Sequence, residues 1–270
     1  MTPVKIKKIT KLSSKNDRYD IQVAKNHNFF ANNILIHNTS QRSAYGLDER
    51  KIRWWEKVFH KFLPIKTLEW KWYVGTRNVI CSDKVGFHSN KLRDDAAAYF
   101  LGKLYKGEEV FYEVVGYDGQ TPIMPRHSTV GLKDKTAQKL YGDTITYNYG
   151  CKEGEFDIFV YRMCMINEDG FILEYPWEYV KARCGEMGVK TVAQAIPPFR
   201  YDGNVENLRK LVEELTEGPS DYPNIVNEGV CIRYENRMHS NIVKNKSFLF
   251  KVMEGITKED ENFVDPEEIA

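Results

Sequence analysis

Apolar and polar residues alternate over 4–9 and again over 19–23, a period of two that predicts short strands, with turn-forming residues 13–17 between them. Phe29-Phe30, Asn32-Asn33 and Ile34-Leu35-Ile36 then read as strand, turn and strand. Over 48–63 the period shifts to that of a helix, with Trp54, Val58 and Phe62 on one face and Pro64 as the stop. Residues 68–80 are strand-like and aromatic. Residues 91–105 suit an amphipathic helix through Leu92, Ala96, Tyr99, Phe100 and Leu104. An apolar strand over 111–115 leads into a long connection, 116–154, holding several Gly, Pro and Tyr residues. A strand over 156–166, helices over 175–180 and 204–215, and a strand over 229–234 complete the pattern.

Composition adds bounds. A chain of 270 residues with 42% hydrophobic content suits one large globular domain or two smaller ones. No apolar run reaches the length of a membrane span, so no membrane association is expected. Lys5, Lys7 and Lys8 are followed by no apolar core, which argues against a secretory signal. Five scattered cysteines with no CxxC pair argue against structural zinc or a disulfide framework, and point to a reducing, cytoplasmic setting. Charge divides the chain. Residues 1–38 hold seven basic and two acidic side chains, a net of +5, which leaves −4 for the rest of a chain whose total is +1. The net-acidic body gives no general signal for nucleic acid, so such a role needs local cationic clusters. A 38-residue run of short strands is also too small to bury a core by itself and needs a partner.

The chemistry at that boundary is specific. Asn38 lies between His37 and Thr39. An asparagine amide can attack its own backbone carbonyl, closing a succinimide and cutting the chain after Asn38. His37 is placed to protonate the departing amine, and the Thr39 hydroxyl is a nucleophile for an acyl group. The lead-in contains Tyr19-Asp20-Ile21-Gln22-Val23, then His27-Asn28-Phe29, then an apolar run ending in His37-Asn38. It resembles the C-terminal splicing block of inteins over residues 1–38. That resemblance implies that Asp20 and His27 tune the proton transfers, and that the intein's N-terminal half lies on a second polypeptide. Asn32-Asn33 departs from the commoner Asn-Gly at the turn, which asparagine also tolerates.

Four charged segments stand out in the body. Arg77 follows an aromatic strand, Glu113 lies in Phe111-Tyr-Glu-Val-Val115, Glu228 precedes Gly229, and Lys244 and Lys246 alternate in Val243-Lys-Asn-Lys-Ser-Phe248. Alternate lysines share one face of a strand and offer a two-point clamp for a polyphosphate. Any one of these residues alone reads more readily as a strand-edge or solvated surface charge. In this order they resemble the motifs of ATP-dependent RNA ligases, members of the covalent nucleotidyltransferases, from Thr39 to about Lys251. The resemblance implies contacts from Arg77 to the ribose or the acceptor phosphate, and from Glu113 to the ribose hydroxyls. It implies stacking of adenine on Tyr161, with Phe159 as the alternative, a metal-binding role for Glu228, and Lys244 and Lys246 at the α-phosphate.

One part is missing. The family's first motif, Lys-x-(Asp/His/Asn)-Gly, carries the lysine that takes AMP, and no such motif stands near the start of the body. In many RNA ligases that motif is followed directly by Thr-Ser or Thr-Asn, and here the body begins Thr39-Ser40. The two resemblances meet at one residue. Together they imply an α+β chain in two parts: a β-rich split-intein fragment, 1–38, and a nucleotidyltransferase domain of antiparallel sheets flanked by helices, 39–270. They further imply an N-terminal ligase fragment fused to the intein N-half as partner, RNA ends as substrate, and ATP and Mg2+ as cofactors. A DNA ligase or GTP-using capping enzyme is the nearest alternative. Those enzymes usually continue into an OB-fold, for which residues 252–270 are too few. The other alternative is a non-enzymatic binding module with a β-rich appendage.

Overall fold

The computed structural model describes residues 28–31, 34–37, 40–59, 66–76, 80–81, 91–133, 135–235 and 241–254, with backbone alone over 28–31, 34–37, 80–81 and 241. The strands expected over 4–9 and 19–23 and the turn at 13–17 lie outside these residues. Strands β1 (Asn28–Ala31) and β2 (Ile34–His37) pair antiparallel, with Phe29 opposite Ile36, as the alternation predicts.

The remainder is a mixed α+β structure of mainly antiparallel pairings. In chain order it comprises β3 (Ser40–Glu49), α1 (Trp54–Phe59), β4 (Leu68–Thr76), β5 (Ile80–Cys81), α2 (Lys91–Ala98), β6 (Glu108–Asp118) and β7 (Thr121–Pro122). Next come β8 (His127–Ser128), α3 (Lys135–Tyr141), β9 (Thr144–Ile145), β10 (Phe156–Ile166), β11 (Ile172–Glu174), α4 (Trp177–Met187) and β12 (Lys190–Thr191). The last are α5 (Val205–Glu217), β13 (Gly229–Tyr234), β14 (Asn241–Lys246) and α6 (Phe248–Glu254). The main sheet runs β11-β10-β6-β3-β4-β5, with β12 parallel to β10 and β7 beside β6; β13 and β14 form a separate hairpin.

The core lies under one face of the main sheet. Val110, Tyr112 and Val114 of β6 pack with Ile158, Val160 and Met163 of β10 against Leu92, Ala96 and Phe100 on one side and Trp177, Val180, Cys184 and Met187 on the other. Helix α4 fits because Trp177, Val180, Cys184 and Met187 recur at three- and four-residue steps, giving one apolar stripe. Gly188 ends it at φ 69, in the left-handed region that favours glycine. Helix α5 starts where the Asn204 side chain accepts a hydrogen bond from the Asn207 amide at 3.1 Å. A second cluster joins Met124, Ile145, Tyr147, Ile225, Val226 and Phe250 near α6.

Three expectations are corrected. The helix expected over 48–63 starts only at Trp54, because β3 keeps its ladder with β4 through Glu49 opposite Leu68, and its expected end at 60–63 lies outside the described residues. Local periodicity there yields to strand pairing, and α1 buries none of its residues. The helix over 91–105 stops at Ala98 and turns follow, yet Leu92, Ala96, Phe100 and Leu104 all remain buried while Tyr99 is exposed. The connection 116–154 is not featureless, since it holds β7, β8, α3 and β9.

The base of β6 carries a charge pair away from water. Glu108 is 0% exposed and receives Arg183 Nε and Nη2, both at 2.9 Å. The Tyr105 amide donates to the same carboxylate at 2.8 Å and the Tyr175 hydroxyl at 3.2 Å. Hydrogen bonding to Glu108 holds the Arg183 guanidinium well above its ordinary range, so its charge is retained. Breaking such a pair strands one buried charge, at a cost of about 3–5 kcal/mol. Glu108→Gln should therefore lower the urea-unfolding free energy by that order, and Arg183→Met should act similarly. The double variant should lose less than the two single losses combined.

Candidate functional site

Side chains alternate across a strand, so the face of β6 opposite the core presents Glu109, Phe111 and Glu113. Ser40 of β3 and Phe159 of β10 both lie opposite Glu113, one on each side. The Ser40 hydroxyl donates to the Glu113 carboxylate. A register shift between Val160 and Arg162 bulges β10, so that Tyr161 and Arg162 both flank Phe111. The Phe111 and Tyr161 ring centroids are 6.4 Å apart, and the Arg162 guanidinium carbon is 4.4 Å from the Phe111 ring. Lys190 Nζ stands 5.8 Å from the Phe159 ring.

The β13–β14 hairpin forms the second wall. Its register sets Lys246 opposite Gly229 and Lys244 opposite Cys231, so both lysines leave one face. Gly229 is indispensable to that pairing. Its φ is 126, and a Cβ there would collide with the Asn245 carbonyl oxygen and the Lys246 backbone. Close approach at Gly229 holds the neighbouring Glu228 against β14, where the Ser247 amide donates to the Glu228 carbonyl at 3.0 Å. Arg233 fastens the hairpin to the main sheet, donating to the Tyr161 carbonyl at 2.9 Å and the Tyr175 carbonyl at 3.3 Å.

Electrostatics link the two walls. Burial pushes the Glu228 carboxyl from its ordinary 4.5 up to about 7, aided by the negative charges of Glu113 and Glu254 and opposed by Lys244 and Lys246. Five charged groups from β6, the residue before β13, β14 and α6 therefore share one neighbourhood. Tyr147 adjoins it. The ring is fully buried, its hydroxyl has no hydrogen-bond partner, and burial followed by the charges of Glu228 and Glu254 pushes the phenol far above its usual range.

Of the residues singled out from sequence, Glu113, Glu228, Lys244 and Lys246 converge here. Tyr161 shares the sheet face of Glu113 and reaches the hairpin through its carbonyl. Phe159 lies nearer Glu113 in register. Arg77 lies outside the described residues, as do Asp20, His27, Asn38 and Thr39; His37 is described as backbone, opposite Asn28. Among the described residues no group of three or more His, Cys, Asp or Glu side chains is arranged to hold a metal.

Sequence reasoning missed Glu254 and Tyr147, which stand in no motif and reach the site only through tertiary packing, and gave no role to Arg233, which ends the Glu228 segment. It also missed a cleft of about 580 Å3 towards the other end of β3, lined in part by Arg42, Asp48, Tyr73, Glu109 and Asn167. That cleft contains none of the converging residues. Its buried carboxylate, Glu109, is already paired with Arg42 at 3.0 Å.

No protein-family model, curated protein or solved structure matches the chain. Among the described residues no helix is long and apolar enough to cross a membrane.

The raised carboxyl gives a signed pH dependence. Between about pH 4.5 and pH 7 the folded chain holds a proton on Glu228 that the unfolded chain has released. The contribution of this group to stability is therefore full below about 4.5 and is lost as pH rises through about 7. Chemical-denaturation curves of Glu228→Gln should lack that fall. The gap between the variant and the unaltered chain should widen with pH in the variant's favour.

Proposed function

We propose that this chain is a precursor half that splices in trans and so completes an ATP-dependent RNA ligase. The observation that carries the ligase reading is the convergence of Glu113 of β6 with Glu228, Lys244 and Lys246 of the β13–β14 hairpin, charged groups from two distant stretches of sequence. The splicing reading rests on His37-Asn38-Thr39 and the block before it. One geometric fact favours joining the two. Ser40, the second residue after the junction, opens β3 directly opposite Glu113. A polypeptide joined to Thr39 would thus continue from the rim of the charged cluster, a few residues from where an incoming Lys-x-x-Gly segment would bring its lysine.

In splicing, the first residue of the partner's intein half, a cysteine or serine, takes up the upstream acyl group as a thioester or ester. The Thr39 hydroxyl attacks that carbonyl and displaces it. Asn38 then cyclises to a succinimide, releasing the intein, and the ester shifts to a peptide bond at the Thr39 amine. In ligation, the imported lysine attacks the α-phosphorus of ATP and pyrophosphate leaves. AMP passes to an RNA 5′-phosphate, and a 3′-hydroxyl displaces it to seal the strand. Here Glu113 binds the ribose hydroxyls, an aromatic of β10, Tyr161 or Phe159, stacks on adenine, and Lys244 and Lys246 offset charge at the α-phosphate. The carboxylates at 113 and 228 are hard oxygen donors whose crowding a divalent cation relieves. They fit magnesium held by Glu228, which would screen the phosphates.

Two experiments test this reading. Mixed with a chain carrying the matching intein N-half, Asn38→Ala should fail to release the intein piece by mass spectrometry, since alanine has no amide to cyclise. Full splicing by that variant would refute the junction chemistry. With labelled ATP and magnesium, the chain alone should stay unlabelled, and the spliced product should carry AMP on a lysine just upstream of Thr39. Covalent AMP on the isolated chain would contradict the absence of the first motif.

The lysine pair is testable separately. Removing one electrostatic donor of this type commonly costs roughly 10²–10³ in rate. Lys246→Ala in the spliced enzyme should lose adenylylation on that scale, and Lys251→Ala far less, with circular dichroism unchanged in both.

A further inference from the structure

The Lys246 side chain turns back toward α6. Its Nζ lies 3.1 Å from Glu254 Oε2, and the Glu254 side chain is only 6% exposed. Ser247 makes this geometry possible. Its hydroxyl accepts the Phe250 amide at 3.3 Å, starting α6 immediately after β14, and also donates to the Asn227 carbonyl. Phe250 and Glu254, one helical turn apart, are the buried residues of α6. Phe250 packs edge-on against Tyr147, with ring centroids 5.6 Å apart, which fixes the helix face that carries Glu254. The Met253 carbonyl lies 3.2 Å from His127 Nδ1, tying the end of the helix to β8. Glu254 is thus held by its helix, while Lys246 sits on a flexible four-carbon stem.

An ammonium carries three N–H donors, and one carboxylate oxygen engages one of them. Among the described residues the other two have no hydrogen-bond partner and remain available to a ligand. Were Lys246 to leave Glu254 altogether, a buried carboxylate would stand beside Glu228 with its counter-charge removed, an arrangement that burial penalises. The lysine therefore has reason to keep this partner while it serves another.

We infer that Glu254 is a positioning residue for the nucleotide's phosphates: it tethers Lys246 through one N–H and directs the other two toward the α-phosphate. This rests on the nucleotide-binding reading above and deepens it. The ligand class is a nucleotide with at least one phosphate, so the tether should matter for AMP and ATP and be irrelevant to adenosine.

Because the chain carries no adenylylation lysine, affinity can be read on the full chain without turnover. ATP, AMP and adenosine would each be titrated by calorimetry into the unaltered chain, Glu254→Ala, Lys246→Ala and the double variant. Glu254→Ala should weaken ATP and AMP by roughly two- to fivefold, the scale of a partly exposed ion pair, and leave adenosine unchanged. On the Lys246→Ala background the same substitution should have no further effect. Glu254→Gln, which still accepts a hydrogen bond from Nζ, should recover part of the loss. An equal loss for adenosine, or a loss that persists without Lys246, would overturn the tether while leaving nucleotide binding intact. Failure of the unaltered chain to bind any of the three would overturn the nucleotide reading and the tether together.

Discussion

A carboxylate with no exposure to water is tolerable only if every lone pair is answered, and Glu108 meets that condition by drawing three separate parts of the chain to one point. Arg183 comes from α4, the Tyr105 amide from the turn before β6, and the Tyr175 hydroxyl from the segment before α4. The Tyr105 ring also covers the guanidinium at 3.9 Å. An ion pair so enclosed adds little net stability over an apolar substitute, but it penalises misplacement severely. It sets the position of α4 against β6, and through β6 it sets the rest of the main sheet.

Strand β6 then serves two purposes at once. Val110, Tyr112 and Val114 are the centre of the main core. The intervening positions carry Glu109, Phe111 and Glu113 on the opposite face. A slip of one residue would exchange the two sets and bury Glu113, so the register that protects the core also aims the site. The Glu108 pair guards that register from one end. The β13–β14 hairpin completes the site from outside this sheet, and its own geometry depends on the absence of a side chain at Gly229.

The strands over 156–166 and 229–234 were legible in the sequence to the residue, because their apolar runs end at clear polar or glycine boundaries. The strand β3 was not legible. Gln41, Arg42, Ser43 and Asp48 dilute its alternation, and the ladder with β4 and β6 that holds it is non-local. Four charged site residues could be picked out from their motif order, but the sequence did not show that they meet. Glu254 was invisible for a simpler reason. It is eight residues from Lys246 on a different element, and only the Ser247 turn from strand to helix brings the two together.

Arg233 grips β10 and the segment before α4 by backbone carbonyl oxygens, those of Tyr161 and Tyr175, and takes no hydrogen bond to either side chain. Every residue type supplies the same carbonyl. The side chain at 161 can therefore be exchanged through evolution or by design without undoing the joint between hairpin and sheet. What the side chain at position 161 presents and what its backbone contributes to the scaffold are separable, so the one can change while the assembly that holds it stays the same.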